Sequence, residues 1–252
     1  MTPRIGVQLY TVRDLLARDL PGTLRTVAEL GFAGVETAFF ADAAVTAAAG
    51  RELRALGLEV FAAHTPLPLG HAEEAVLRAA DALGAPCVVW HGWPRDPRYD
   101  TADGVRRLAA EFNEANAVAA AHGLGFAVHN HWWECEPVGG TVAYRLLLAE
   151  LDPSVGWELD AYWAAVAGLN PAAVATDLGE RLRLLHLKDG PLRRHEPMAA
   201  LGDGRLDIPA VLAAAGDRVE WAVVELDEVA GDPLEALGQS RAYLAGLGLG
   251  SG

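Results

Sequence analysis

The chain has 252 residues, 52% of them hydrophobic and 21% charged, an ordinary balance for a globular protein able to bury a large core. Its 34 acidic against 20 basic residues give a net charge of −14, which repels phosphate backbones and anionic lipid and argues against nucleic-acid and membrane partners. Two cysteines, Cys87 and Cys135, are too few and too isolated for a disulfide framework or a structural zinc site.

Short β-type runs alternate with longer Ala/Leu-rich stretches of helical period. A strand is predicted over residues 4–9, then helix to Leu30, a strand over 34–37 and a helix over 43–56. Strands at 58–63 and 86–90 enclose a helix at 71–83; a helix at 102–122 leads to a strand at 125–130. A helix at 141–151, a strand at 155–159 and a helix at 165–178 follow. The last units are a strand at 183–187, a helix at 208–215, a strand at 221–226 and a helix at 233–247. Several helices run into a glycine (Gly31, Gly57, Gly84, Gly123), the expected left-handed stop. Eight such units with short returns predict a single (β/α)8 TIM barrel, one domain over 1–252, close to the ~250 residues usual for that fold. No run approaches the ~20 apolar residues of a membrane span, and MTPRIGVQLY lacks a signal-peptide core, so a cytoplasmic location is expected.

Four of the predicted strands end in paired ionisable side chains: His129 and His131, Glu158 and Asp160, His186 and Lys188, Glu225 and Asp227. Residues i and i+2 of a strand share a face, so each pair projects to one side. In a closed parallel barrel these ends meet at the C-terminal mouth, where barrel enzymes carry their sites. Imidazole and carboxylate donors gathered there suit a divalent metal and proton transfer. His64 and His91 end two further strands and are read as substrate contacts; Glu36, at the end of GVET, and Glu158 are read the same way. For Glu36, Glu158, His131 and Lys188 the competing structural reading is a polar upper layer of the barrel. Unpaired charges at Asp160, His186 and Glu225 would be costly without a metal or substrate.

The segments GVQLYTVRD, VHNHWWE, ELDAYWAAVAG, LLHLKDG, GDGRLDIPAVL and VVELDE, in this order, resemble the xylose-isomerase-like barrels, nearest the sugar phosphate isomerase/epimerases and the inosose dehydratases. The resemblance covers essentially the whole chain. In the related ketose 3-epimerases two glutamates, an aspartate and a histidine hold one divalent ion, usually manganese. By that resemblance Asp160, His186 and Glu225 are metal ligands. The first glutamate has no counterpart; His129 is the likeliest substitute, with His131 as the alternative ligand. The ion implied is Mn2+ or Mg2+, with Zn2+ also admissible. A histidine ligand binds as neutral imidazole, so metal occupancy is expected to fall as pH drops through a titration near ~6.5 or somewhat lower.

The chemistry implied is proton abstraction next to a carbonyl through an enediolate, on a keto-sugar or related polyol. Glu225 is the expected base, Lys188 the group that neutralises the developing oxyanion, and His131 a further acid or base. Trp163 stands where the epimerases carry a substrate-binding histidine. With Trp132, Trp133, Trp90 and Trp93 it lines the mouth with indoles that suit sugar C–H faces. The loop over 192–204 is long and is read as part of a substrate cover, its GDG serving equally well as a simple turn. Elimination by a lyase acting on a keto-inositol or 3-keto-glycoside competes with isomerisation, and a non-catalytic sugar-binding barrel is a third reading. Apurinic endonucleases of the same superfamily need more metal ligands and a basic face, which this composition lacks. Assembly as a homodimer or homotetramer is left open.

Overall fold

The computed structural model describes residues 2–38 and 42–250. Eight parallel strands close a barrel: β1 (Arg4–Gln8), β2 (Gly34–Thr37), β3 (Glu59–Thr65), β4 (Cys87–Trp90), β5 (Gly125–His129), β6 (Gly156–Asp160), β7 (Leu182–Leu187) and β8 (Trp221–Val224). Each strand pairs with its sequence neighbour, and β1 pairs with β8 to complete the ring. The helices form the outer layer: α1 (Arg13–Arg18), α2 (Leu20–Glu29), α3 (Ala43–Ala55), α4 (Glu73–Leu83), α5 (Ala102–Ala121), α6 (Ala143–Glu150), α7 (Ala161–Val166), α8 (Pro171–Leu178), α9 (Ile208–Ala215) and α10 (Pro233–Gly246). The molecule is a (β/α)8 TIM barrel.

Local chemistry accounts for the helix boundaries. Asp42, Thr101, Asn170, Asp207 and Asp232 each accept a first-turn N–H through their side chain, a cap that typically stabilises by about 1 kcal/mol. At the other ends Gly31, Gly57, Gly84 and Gly123 all take positive φ, between 72° and 85°. The predicted helix at 165–178 is instead two helices, α7 and α8. Asp160 caps the chain earlier than expected by accepting the Trp163 N–H at 2.8 Å. Gly168, at φ 87°, then breaks it, and Asn170 restarts it.

Inside the barrel, Phe61 and Trp221 stack with ring centroids 4.2 Å apart and plug the lower end, with Val89, Ala127, Leu184 and Val223 above them. Burying each large apolar side chain there stabilises by roughly 1.5–3 kcal/mol. The stack requires glycine on its neighbours: a Cβ at Gly6 would lie 2.5 Å from the Phe61 ring, and one at Gly34 would lie 2.7 Å from Trp221. Above the apolar layers the same inward faces turn polar.

The β7–α9 connection is tied down by a residue that the sequence did not single out. Asp189, buried at its base, accepts the N–H groups of Gly190 and Leu206 at 2.8 and 3.0 Å through Oδ1. Through Oδ2 it accepts those of Gly202 and Gly204 at 3.0 and 3.1 Å. The GDG stretch is therefore more than a turn, since its backbone wraps a carboxylate. A Cβ at Gly204 would fall 2.0 Å from Asp189 Oδ1, so the close approach demands glycine.

Candidate metal centre and active site

Strand register brings the upper groups together. His129 of β5 lies beside Glu158 of β6, and Asp160 beside His186 of β7, after a register shift between Trp157 and Glu158. Asp160, His186 and Glu225 each offer a potential ligand atom, and these atoms all lie within 4.8 Å of one another. His129 joins them at the edge, with Nε2 3.9 Å from Asp160 Oδ2. All four residues are buried. The two carboxylates point into one place, as a single divalent site requires.

The remaining nitrogen of each imidazole is held from behind. His129 Nδ1 is 2.8 Å from Glu158 Oε2, and His186 Nε2 is 2.6 Å from Glu36 Oε2. An N–H donated to a buried carboxylate fixes the ring plane and turns the other nitrogen toward the centre, the usual support for a metal-binding histidine. His64 Nε2 contacts Glu158 Oε2 at 2.6 Å, and Gln8 Nε2 donates to Glu36 Oε2 at 2.8 Å, closing the layer. His64, His129, Glu158 and His186 also bring potential ligand atoms within 4.8 Å of one another. Imidazole–carboxylate pairs stand at hydrogen-bond length in both clusters, at 2.6 and 2.8 Å here and at 2.9 Å between His186 Nδ1 and Glu225 Oε2 in the first.

This layer changes the reading of two residues. Glu36 and Glu158 were expected to touch substrate; both are fully buried beneath the cavity and do not line it. They sit behind the histidines, Glu158 against His64 and His129 and Glu36 against His186. Gln8, which braces Glu36, carried no signal in the sequence beyond its place at the end of β1.

On the cavity side, Lys188 Nζ lies 3.1 Å from Asp160 Oδ2, 2.8 Å from Glu225 Oε2 and 2.6 Å from Asp227 Oδ1. Asp227, paired with Glu225 in the sequence but given no role, proves to be the outer partner of this ammonium. Asp160 Oδ2 accepts no well-aligned hydrogen bond and is met only by the Lys188 ammonium, while Oδ1 is used by the α7 cap. A buried carboxylate oxygen with spare acceptor capacity, beside an imidazole and a second carboxylate, is a donor that an ion-binding centre can use. The buried His/Glu/Asp cluster can hold a metal ion.

Electrostatics divides the cluster. Burial opposes charge on Glu225, but Lys188 and His186 outweigh it and hold the carboxyl well below its usual range, so it is ionised. Burial likewise opposes charge on His186, yet the Glu158 and Glu36 carboxylates keep it well above the ordinary imidazole value. Burial dominates elsewhere, raising Asp160 to about 6 and Glu36 to about 7 and lowering His129 to about 3. The expectation that His129 titrates near ~6.5 is thereby corrected: with its ring out of water it stays neutral through the physiological range.

The cavity above has a volume of about 540 Å3. His64, His91, His131, Trp132, Trp163, Lys188, Glu225 and His129 all line it. Burial and the neighbouring His129 keep His131 well below the ordinary value, hence neutral, and its Nδ1 has no partner. Its ring stacks on Trp133 with centroids 4.3 Å apart, and its backbone N–H donates to Glu134 at 2.8 Å. His91 is lowered to about 4 by burial, and its Nδ1 accepts the Trp93 N–H at 3.0 Å. The cover loop supplies Arg194, His195, Glu196 and Met198. Of the expected indoles, Trp133 is buried and supports the wall rather than facing the cavity; Trp93 faces it.

The sequence and the fold both have relatives. A family profile described as xylose isomerase-like TIM barrel matches residues 24–247. No curated protein matches the sequence. Two solved structures of sugar phosphate isomerase/epimerases from Parabacteroides distasonis are similar, at TM-scores of 0.82 and 0.79 and identities of 21% and 24%. The first match covers 96% of this chain and 98% of that one, the second 97% and 94%. A 3-keto-D-glucoside 4-epimerase from E. coli is similar at a TM-score of 0.67 and 20% identity, over 97% of this chain and 99% of that one. At such identities the solved structures attest the fold alone. The profile match spans most of the sequence, and with it the chain belongs to the xylose isomerase-like TIM barrel family.

Proposed function

We propose that the protein is a divalent-metal-dependent isomerase or epimerase of a keto-sugar or related polyol. The observation that carries this reading is the convergence of Asp160, His186 and Glu225 on one buried point, with His129 beside them and the distal nitrogens of both histidines held by carboxylates. These four residues would hold the ion; two carboxylates with two imidazoles suit Mn2+ and Zn2+, and admit Mg2+ less readily because it prefers oxygen donors. When bound, a divalent ion supplies Lewis acidity toward a carbonyl and lowers the cost of proton loss from the adjacent carbon.

The chain's own groups do the rest. Glu225 is ionised and faces the cavity, placed to take a proton from the carbon next to the carbonyl. The Lys188 ammonium stands against it and stabilises negative charge as it develops on the substrate oxygens. His131, neutral and unpartnered at Nδ1, is available on the cavity wall to accept or return a proton. His64 and His91 offer polar contacts to sugar hydroxyls, and Trp132 and Trp163 flat faces to ring C–H groups.

A lyase acting on a keto-inositol or 3-keto-glycoside is the second reading. It is favoured by one observation: Glu36 and Glu158 are turned away below the floor, so Glu225 is the only carboxylate of the expected ligand and substrate set that lines the cavity. Epimerisation by two opposed carboxylates is then replaced by a carboxylate and a histidine, which serves elimination equally well. The two cysteines, both free, fit the reducing interior of a cell, and a cytoplasmic place belongs to the proposal. The deciding experiment is metal analysis of the purified protein, followed by NMR of candidate keto-sugars and keto-inositols in D2O. Deuterium incorporation with retention of all oxygens marks an isomerase, and loss of a hydroxyl or aglycone marks a lyase. Absence of metal together with absence of exchange on every substrate would reject both.

A further inference from the structure

The cavity is divided by chemistry into a polar floor and an indole wall. The floor carries Glu225, Lys188, His129 and His131, and the wall is a run of rings from the floor to the rim. Trp163 and Trp132 meet with centroids 4.9 Å apart, and Trp132 meets Trp93 edge-on at 6.4 Å. Trp93 sits at the mouth with 56% of its surface exposed, a large apolar face continuous with the interior rather than an isolated surface residue. Tyr10 lies at the opposite rim, 42% exposed. The volume of about 540 Å3 is in the range of roughly 300–1,000 Å3 that holds ligands of drug size, more room than a single pyranose ring calls for.

The charged groups of the wall and rim are already engaged. Arg194 pairs with Glu136 at 2.7 Å and lies over Trp132 at 4.7 Å. Arg13 donates to the backbone carbonyls of Tyr10 and Asp227 at 3.0 and 2.9 Å and lies flat on the Tyr10 ring. Lys188 is enclosed by three carboxylates. Against these cations the lining carries Glu196, Glu225, Asp227 and Glu228, and the chain as a whole has a net charge of −14. Apart from the proposed ion, a dianionic phosphate entering here would meet four lining carboxylates, with Arg194 and Lys188 already held by carboxylates and Arg13 engaged through Nη1.

We infer that this site takes an uncharged two-ring glycoside, not a sugar phosphate: one ring lies on the polar floor and the second, an aglycone or another sugar, lies against Trp93 and Trp132. The inference rests on the proposed function only in taking the reacting ring to be a sugar. Aromatic faces recognise such a second ring by contact area and C–H or ring stacking without needing charge.

Calorimetric titration of the purified, metal-replete protein tests this by binding alone, so it stands apart from whether any substrate turns over. Three probes are compared: phenyl β-D-glucoside, methyl β-D-glucoside and D-glucose 6-phosphate. The phenyl glucoside is expected to bind at least about tenfold more tightly than the methyl glucoside, the scale of one added aromatic contact, and the phosphate more weakly than either. Trp93→Ala, at a position 56% exposed, should reduce the phenyl glucoside to the affinity of the methyl compound, and Trp132→Ala should weaken both glucosides, the phenyl one more. The inference is overturned if the phosphate binds as tightly as the methyl glucoside, if the phenyl ring confers no advantage, if that advantage survives in Trp93→Ala, or if none of the probes binds.

Discussion

The lower and upper halves of the barrel interior are built from the same strands and differ in almost every physical respect. Below, Phe61, Trp221, Val89 and Leu184 fill the space by shape, and glycines at Gly6 and Gly34 make room for the rings. Above, one inward step further along each strand, the positions become Glu36, His64, His129, Glu158, His186 and Glu225. Val223 precedes Glu225, Leu184 precedes His186 and Ala127 precedes His129, each by two residues, so a single face runs from apolar to ionisable. The lower half is satisfied by packing alone. The upper half is held in its deeper layer by imidazole–carboxylate hydrogen bonds, and both of its layers leave buried polar atoms without a hydrogen bond, Glu36 Oε1 and Glu158 Oε1 below and Asp160 Oδ2 and His131 Nδ1 above. Stability is concentrated at one end and chemical potential at the other, and the hydrogen-bonded layer between them transmits the rigidity of the first to the second.

If that division is correct, damage to the top layer should cost function without cost to the fold. Asp160→Ala should abolish metal binding, measured by metal content after dialysis, while circular dichroism remains native. Because Asp160 Oδ1 also caps α7, Asp160→Asn is the sharper variant: it keeps an acceptor for the Trp163 N–H and should still lose the metal. Retention of metal in Asp160→Asn would move the centre elsewhere. Glu225→Gln should lower turnover by at least ~10²-fold, the lower end for loss of a general base, and weaken the metal. Full activity with unchanged metal content would remove Glu225 from the mechanism.

The intermediate layer should yield intermediate effects. Glu158→Gln leaves the candidate ligands in place but removes the charged support behind His129 and His64. Metal affinity should fall by roughly 10–100-fold, the usual cost of losing such support, with the fold retained. An affinity equal to that of the parent protein would show that the layer orients nothing. His129→Ala should lose metal, whereas His131→Ala should keep metal and lose rate or substrate affinity; the opposite pattern would exchange their places.

The last effect leaves the site and concerns stability and pH. Glu134 is buried and its carboxyl is pushed up by burial to about 8 from an ordinary 4.5, so the folded protein prefers it protonated. A raised carboxyl favours the fold fully below the unfolded value and loses that contribution as pH rises toward the folded one. Glu134→Gln removes the titration. Its stability relative to the parent should therefore increase between about pH 4.5 and 8 and level off above, read from urea midpoints across that range. A flat difference would mean that Glu134 is ionised in the fold at all of these pH values.

Much of the barrel was legible because its causes are local. Gly31, Gly57, Gly84 and Gly123 mark helix ends through a backbone preference that neighbours do not alter, and the alternation of β runs with helical periods sets the eight units. Where local signals compete, the reading blurred: the Ala-rich stretches on either side of Gly168-Leu169-Asn170-Pro171 favour helix, and the glycine, the Asn170 cap and Pro171 at the first helical position divide them into α7 and α8. Asp189 was invisible because its four partners are backbone N–H groups, which have no sequence signature.

For the site, the sequence by itself determined which ionisable residues stand at strand ends and, through the two-residue period, that they share the barrel's inward face. It could not determine depth. Whether a carboxylate on that face meets the cavity or stands behind a histidine depends on the stagger between adjacent strands, including the register shifts beside Glu36 and Glu158. That stagger is a property of the closed ring rather than of any one strand. Tertiary structure therefore placed Glu36 and Glu158 beneath the floor, brought Asp227 onto Lys188, and by excluding water from His129 kept its imidazole neutral.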